Sequence, residues 1–218
     1  MARNYASVAF TPEVKALQER YGSRQAYAHM EQKATGTRLS DSESNFIQER
    51  DSFYIASIGE NGFPYIQHRG GTKGFLHTID PQTLTYADLR GNRQFITVGN
   101  AATNPKVSLI LMDYARRARL KVYAEVEIVA INDRPDLTDL VIPEGYENIA
   151  ERIVLLHIIA FDWNCPKYIT PRYAMEEINQ MVAPMQERIK ELESEVLRLK
   201  KQNDLFIANS PQENRHGK

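Results

Sequence analysis

Apolar and polar residues change period along this chain, first near 3.6, then 2, then a strict heptad. Thr11-Pro12-Glu13 has the marks of a helix start: a capping hydroxyl, proline at the first helical position and an early acid. Val14, Leu17 and Tyr21 then fall on one face, and Gly22 ends the helix. A second, polar helix is expected over residues 25–33. The capping-box spacing of Ser40 and Glu43 opens a third, reaching about Glu49.

From Ser52 the period shortens. Phe53, Tyr54, Ile55, Ala56 and Ile58 form a strand-like run. Gly59-Glu60-Asn61-Gly62 is a turn that tolerates positive φ, and 63–68 reads as the return strand. A second hairpin is expected over 75–79 and 84–88, turning at Asp80-Pro81. Residues 90–103 lack alternation and predict a short helix or an irregular segment. Strands follow at 107–112 and 120–131, joined by the basic turn 115–119. A short helix at 134–140 is expected, capped by Asp133. Segment 153–163 is apolar almost throughout and predicts a strand buried on both faces. Antiparallel strands at short spacing with peripheral helices predict a β-barrel, mainly β within an α+β fold class.

The end of the chain differs again. Ile178, Val182, Met185, Ile189, Leu192, Val196 and Leu199 are spaced 4, 3, 4, 3, 4, 3, a heptad seam that Asn203 continues. Pro184 lies off the seam and either opens the main helix or kinks it. The stripe either packs on the chain's own barrel or pairs with another chain. Its narrowness, with Lys, Glu, Arg and Gln around it, favours pairing as a coiled coil. The expected organisation is a helical segment at 1–39, a barrel at 40–173, a heptad helix at 174–207 and a polar, disordered tail at 208–218.

Composition narrows the function. The 218 residues carry 27 Lys and Arg against 28 Asp and Glu, a formal charge of −1, which argues against coating nucleic acid or an anionic membrane. The longest apolar stretch, 153–161, is far short of the ~20 residues of a membrane helix. No apolar signal-peptide core precedes residue 22, and Cys165, the only cysteine, has no partner for an internal disulfide. The expected location is the cytoplasm. The even balance conceals an asymmetry. Residues 67–122 hold nine Lys and Arg against three Asp, a net +6, leaving −7 for the remainder.

Metal chemistry finds no support in the pattern: none of His29, His68, His77, His157 and His216 pairs with another ligand at i,i+4, and no Cys-x-x-Cys occurs. There is no Gly-x-Ser-x-Gly elbow, and Gly70-Gly71-Thr72-Lys73-Gly74 matches neither nucleotide-loop spacing. A lone cysteine such as Cys165 is more often a small buried hydrophobe than a nucleophile. His157, in an apolar strand, reads as a hydrogen-bonded core histidine. What remains is basic and amide residues at strand ends: Gln67, His68 and Arg69 at one, Asp88 to Gln94 after another, Arg116, Arg117, Arg119 and Lys121 at a third. Glycine amides and arginine forks suit an anion, and Gln, Asn and Asp suit hydroxyls or a ring edge. The composition alone supports an anion site, or else a solvated basic surface.

Thr85-Tyr86-Ala87-Asp88-Leu89-Arg90-Gly91-Asn92-Arg93-Gln94, then Val98-Gly99-Asn100, Asn104-Pro105, the strand ending at Asp113 and the strand 120–125, resemble the pyridoxamine 5′-phosphate oxidase-like FMN-binding split-barrel superfamily. The closer similarity is to its bacterial flavin-nucleotide-binding group, which Gly62 to Gly71 and Asn164-Cys165-Pro166-Lys167-Tyr168-Ile169 also fit. The resemblance covers roughly 40–173. It implies a six-stranded antiparallel split barrel and a homodimer with FMN at the subunit interface. Gln67, His68 and Arg69 would line the flavin and ribityl chain. Asp88, Asn92, Arg93 and Gln94 would lie near the ribityl–phosphate end, with Lys73 reaching the phosphate. Arg119, Lys121 and the Trp163-Asn164 segment would approach from the partner. Trp163 is equally readable as a core aromatic at a strand end. The glycines at 70 and 71 and the missing Arg-Leu-x-Pro ending depart from the oxidases themselves, so pyridoxamine phosphate is not carried over as substrate.

Three functions follow as expectations. The first is an FMN oxidoreductase acting on an unidentified small molecule, with an electron donor such as NAD(P)H and no evident catalytic base on the protein. The second is a non-catalytic flavin-binding or sensing module, joined to partners through the heptad helix. The third exchanges the ligand for haem or a deazaflavin, which related split barrels hold.

Overall fold

In the computed structural model, residues 4–32, 36–163 and 166–209 are described. Lys33, Asn164, Cys165 and the tail beyond Asn209, all named above, lie outside them. The chain divides into two units, Met1–Pro171 and Arg172–Lys218.

The first unit opens with three helices, α1 (Tyr5–Ala9), α2 (Pro12–Arg20) and α3 (Arg24–Gln32). Asn4 and Ser7 close a capping box on α1, and the Thr11 hydroxyl accepts from the Val14 N–H to start α2. The expected apolar face of α2 is not buried: Leu17 and Tyr21 are exposed, and the buried residue is Gln18, whose side chain accepts from Arg24 of α3 at 2.8 Å. Helix α4 (Asp41–Gln48) begins where its capping box predicts, with Ser40 and Glu43 in reciprocal bonds.

Seven antiparallel strands follow: β1 (Ser52–Ile58), β2 (Pro64–Gly70), β3 (His77–Asp80), β4 (Thr83–Leu89), β5 (Lys106–Asp113), β6 (Ala118–Val129) and β7 (Ala150–Trp163). They form one sheet in the order β2-β1-β5-β6-β7-β4-β3. The resemblance implies six strands; the seven coincide with the seven segments of period-two or apolar character. Gly62, at φ +80°, turns β1 into β2 so that Ile58 pairs with Pro64 and Ser52 with Gly70. Strand β7 pairs with β6 on one side and β4 on the other, which is why its middle is apolar on both faces. His157 is the exception: its side chain is 49% exposed and its Nε2 lies 2.8 Å from Glu127, so it is not the core histidine expected from its neighbours.

The sheet curls around Phe53, Ile55, Leu84, Leu109, Leu120, Val122 and Leu156, all about 1% exposed or less. Phe53 of β1 meets Tyr86 of β4 edge-on at 5.4 Å, which brings the two ends of the sheet together. Helix α5 (Ile96–Thr103) fills the stretch that lacked alternation. Helix α6 (Pro135–Val141) packs Leu137 and Val141 against Ile153 and Leu155 of β7. Asp133 does not cap it; that residue sits in a 3₁₀ turn, and the residue before the helix, Arg134, pairs with Asp136 instead.

The second unit contains α7 (Met175–Asn209), a 35-residue helix that continues through Pro184 rather than opening at it.

Candidate functional site

A cleft of about 260 Å³ opens where β2 approaches the end of β4. Strand alternation places Tyr65, Gln67 and Arg69 on the cleft side of β2. Asp88 and Leu89 end β4, the loop 91–95 forms the rim, and Ile96, Thr97 and Val98 begin α5 on the far wall. Six of the eleven expected site residues meet here: Gln67, Arg69, Asp88, Asn92, Arg93 and Gln94.

An ionic chain organises the wall. Arg69 Nη1 donates to Asp88 Oδ1 at 2.6 Å, and both side chains are largely buried. Arg152 lies 3.5 Å from the other Asp88 oxygen and donates to Glu151 at 2.7 Å, while Arg93 Nε is 3.1 Å from Glu151. Asp88 is therefore neutralised from both sides, which makes a buried carboxylate tolerable. Tyr86, fully buried beneath, has its phenol pushed up to about 12 by desolvation, so it is neutral and a hydrogen-bonding group only. Arg69 Nε is buried without a partner, and the guanidinium sits 6.0 Å from the Tyr86 ring centre.

The far wall offers donors. Arg93 and Phe95 both adopt left-handed backbone, at φ 57° and 55°. Phe95 precedes α5 and gives it no side-chain cap, so the first N–H groups of the helix lack a capping acceptor where they line the cleft. Two guanidinium groups lie near the Phe95 ring centre, Arg93 at 5.7 Å and Arg152 at 5.1 Å. Thr97 Oγ1 donates to Gln67 Oε1 at 2.8 Å, fixing which end of that amide faces the cleft.

The other five residues lie elsewhere. His68, on the opposite face of β2, is exposed with its ring edge-on to Tyr54 at 5.4 Å. Lys73 is exposed on the loop after β2, outside the cleft. Arg119 is partly buried on β6 with its Nε unpartnered. Lys121 and Trp163 line a second cavity of about 990 Å³ between the N-terminal helices and the ends of β6 and β7. There Lys121 pairs with Asp162 at 3.0 Å and lies 4.2 Å from the Tyr5 ring centre. Trp163 donates its indole N–H to Glu43 at 2.7 Å and packs edge-on to Phe46. Burial alone would raise the Glu43 carboxyl, but the bonds from Ser40 and Trp163 outweigh it and hold it below the usual carboxylate range. Tyr123, stacked on Tyr5 at 4.8 Å, is raised to about 12, first by burial and then by its hydrogen bond to Tyr5.

Sequence reasoning missed Tyr65, Thr97, Glu151 and Arg152. Tyr65 follows from counting back two from Gln67 along the strand. Thr97 and Glu151 line the cleft, and Arg152 stands behind it on Asp88, only through long-range packing, and no local pattern marks them. Among the described residues no group of three His, Cys, Asp or Glu side chains could hold a metal ion, and no helix is long and apolar enough to cross a membrane.

The solved structures similar to this chain include an FMN-binding protein from Syntrophomonas wolfei, 12% identical, covering 70% of this chain and 97% of its own, at a TM-score of 0.43. Group A Streptococcus HupZ is 13% identical, covers 62% and 98%, and scores 0.44. A Clostridium acetobutylicum protein related to general stress protein 26 of B. subtilis, of the pyridoxinephosphate oxidase family, is 14% identical, covers 63% and 94%, and scores 0.42. No curated protein sequence matches this chain. The family model of pyridoxamine 5′-phosphate oxidase matches residues 39–162, more than half of the sequence and all seven strands but the last residue of β7. The chain belongs to the pyridoxamine 5′-phosphate oxidase family.

Proposed function

We propose that this protein is an FMN-binding flavoprotein and an oxidoreductase, with the phosphate and ribityl chain of FMN held in the cleft between β2, β4 and α5. The observation that carries this reading is the convergence of Arg69, Arg93 and the uncapped start of α5 on one small cavity, beside the amides of Gln67, Asn92 and Gln94. The donor set fits the group. A phosphate needs several N–H donors and positive potential, and hydroxyls need amides and a carboxylate. Arg69 offers a buried Nε with no partner of its own.

The cleft is small for the whole cofactor. Its 260 Å³ falls below the roughly 300–1,000 Å³ of ordinary ligand sites. We propose that a second copy of the chain completes it. Arg119, Lys121 and Trp163 lie outside the cleft of their own chain, as the resemblance expects of residues lent to a partner's site.

When bound, FMN supplies hydride or electron transfer, so the protein needs no acid or base of its own for the transfer. The residues present bind, orient and bias. Thr97 fixes the Gln67 amide, Asp88 pins Arg69, and Arg152 holds Asp88. A guanidinium held at a fixed point beside the ring would favour the reduced, anionic form.

The test is optical. Purified protein, or protein reconstituted with FMN, should show the yellow visible band of an oxidised flavin, bleached by NADH or NADPH and restored by an acceptor. Protein that stays colourless with FMN sinks the binding reading. A bound flavin that no donor reduces sinks the oxidoreductase and leaves the binding module. A Soret band or a deazaflavin spectrum from the native host replaces the ligand.

A further inference from the structure

We propose that α7 pairs in parallel and in register with α7 of a second copy, as a two-stranded coiled coil. The seam runs along one stripe of a continuous 35-residue helix, and Met185, Ile189, Leu192, Val196 and Leu199 on it are 47–65% exposed. A long helix whose other faces are mostly polar, with Met181, Leu197, Leu205 and Ile207 as exposed exceptions, gains little from propensity alone and needs that stripe covered.

The residue types select the occupant. Taking Val182 as position a, the a positions are Val182, Ile189, Val196 and Asn203, while Leu192 and Leu199 stand at d. β-branched residues at a with leucine at d favour two parallel strands over three or four. The charges fit a parallel direction. In parallel register Arg188 at g faces Glu193 at e of the second copy, and Glu195 at g faces Lys200 at e; both contacts are attractive and each occurs twice. In one helix Arg188 bonds Glu191 at 2.7 Å and Arg198 bonds Glu195 at 2.5 Å, exposed i,i+3 pairs of small value that exchange readily. Asn203 gives an independent argument. In parallel register each Asn203 faces its own copy and the two amides bond each other. An antiparallel pair sets it against an apolar d side chain with nothing to bond.

The inference does not rest on flavin binding, and its test is scored on the full chain with or without FMN. In a Cys165→Ser background, Leu192→Cys and Leu199→Cys are made separately and oxidised. Residues at d face their own copies throughout a parallel pair, so both variants should give a reducible covalent dimer. Arg188→Glu should cut the yield at position 192 several-fold, and adding Glu193→Arg should restore it. Crosslinking at only one of the two positions indicates an antiparallel crossing, crosslinking at neither indicates a helix that pairs with no second copy, and sedimentation of the oxidised chain as a trimer indicates three strands. Each of these results overturns the proposal.

Discussion

Arg69 and Asp88 stand 19 positions apart in sequence and join at 2.6 Å across the mouth of the sheet, one from β2 and one from β4. These strands are not hydrogen-bonded neighbours; four others separate them in the sheet. The ion pair is thus a closure across the curl, made where both strands end at the cleft. Its position lets one contact serve two purposes. It holds the two ends of the sheet together and fixes the guanidinium that the proposed phosphate or flavin would meet.

Breaking a buried pair from one side leaves a charge without compensation, at about 3–5 kcal/mol. Arg69→Ala should fall near the lower end, about 3 kcal/mol, because Arg152 remains 3.5 Å from Asp88. Asp88→Asn should also destabilise, leaving Arg69 buried beside an amide. The double variant should lose less than the two single losses together, by about 1–3 kcal/mol. Urea unfolding of the four proteins measures this coupling, and strict additivity would show that the contact does not close the sheet. FMN affinity should drop at least tenfold in both variants that lack Arg69.

A cleft completed by a second copy makes a distinct prediction. Arg69→Ala damages the cleft side of a site, and Lys121→Ala with Trp163→Phe damages the side proposed to come from the partner. Each homodimer should lose FMN. Chains unfolded together and refolded as a mixture should recover some of it, because a heterodimer places both defects in one site and leaves the other intact. Random pairing sets the recovery at about a quarter of the wild-type flavin content. If the mixture binds no more FMN than the separate variants, the two clusters do not share a site across an interface.

How far the sequence discloses this arrangement depends on the range of each interaction. Local devices are legible. Asn61-Gly62 turns the first hairpin, Ser40 and Glu43 cap α4, and Thr11-Pro12 opens α2, because each is complete within four residues. Helix α1 is too short to display a period, and only its Asn4–Ser7 capping box marks it. Leu17 and Tyr21 show that an apolar stripe is not always a buried one, since α2 sits against α3 through Gln18 and Arg24. In the cleft, the residue types at strand ends were readable, but their grouping was not. Alternation already separates His68 from Gln67 and Arg69, whereas the gathering of Thr97, Glu151 and Arg152 depends on how far the sheet curls.

Gly36 tests the attachment of the N-terminal helices to the barrel. Its φ of +82° suits glycine, and a Cβ there would stand 2.4 Å from the Phe161 carbonyl oxygen. The same glycine accepts a hydrogen bond from the Phe161 N–H at 2.6 Å, so neither backbone can retreat without losing it. Gly36→Ala should cost about 3 kcal/mol, from the left-handed backbone and the overlap together. Gly99→Ala is the control: it lies exposed on α5 with no atom near the added carbon, and it should stabilise by up to about 1 kcal/mol. Thermal unfolding of the two variants should move in opposite directions. Equal shifts would mean that the 36–161 contact is not a constraint in solution.

The Glu43–Trp163 bond should report its own titration, because Trp163 is the chain's only tryptophan. The folded carboxyl is held below its ordinary value near 4.3, so the unfolded chain binds this proton first as pH falls. The stabilisation is therefore fully present above about pH 4.3 and is lost as pH falls through the lower, folded value. Tryptophan emission in the folded protein should shift over that same lower range, as the carboxylate that accepts from the indole becomes neutral. Glu43→Gln should abolish the emission step. It should also destabilise the protein at neutral pH by about 2 kcal/mol, since a charged acceptor for two side chains and a helix cap is replaced by an amide. An emission step with its midpoint at or above the ordinary glutamate value would contradict the depressed carboxyl. A step that persists in Glu43→Gln would assign it to another group.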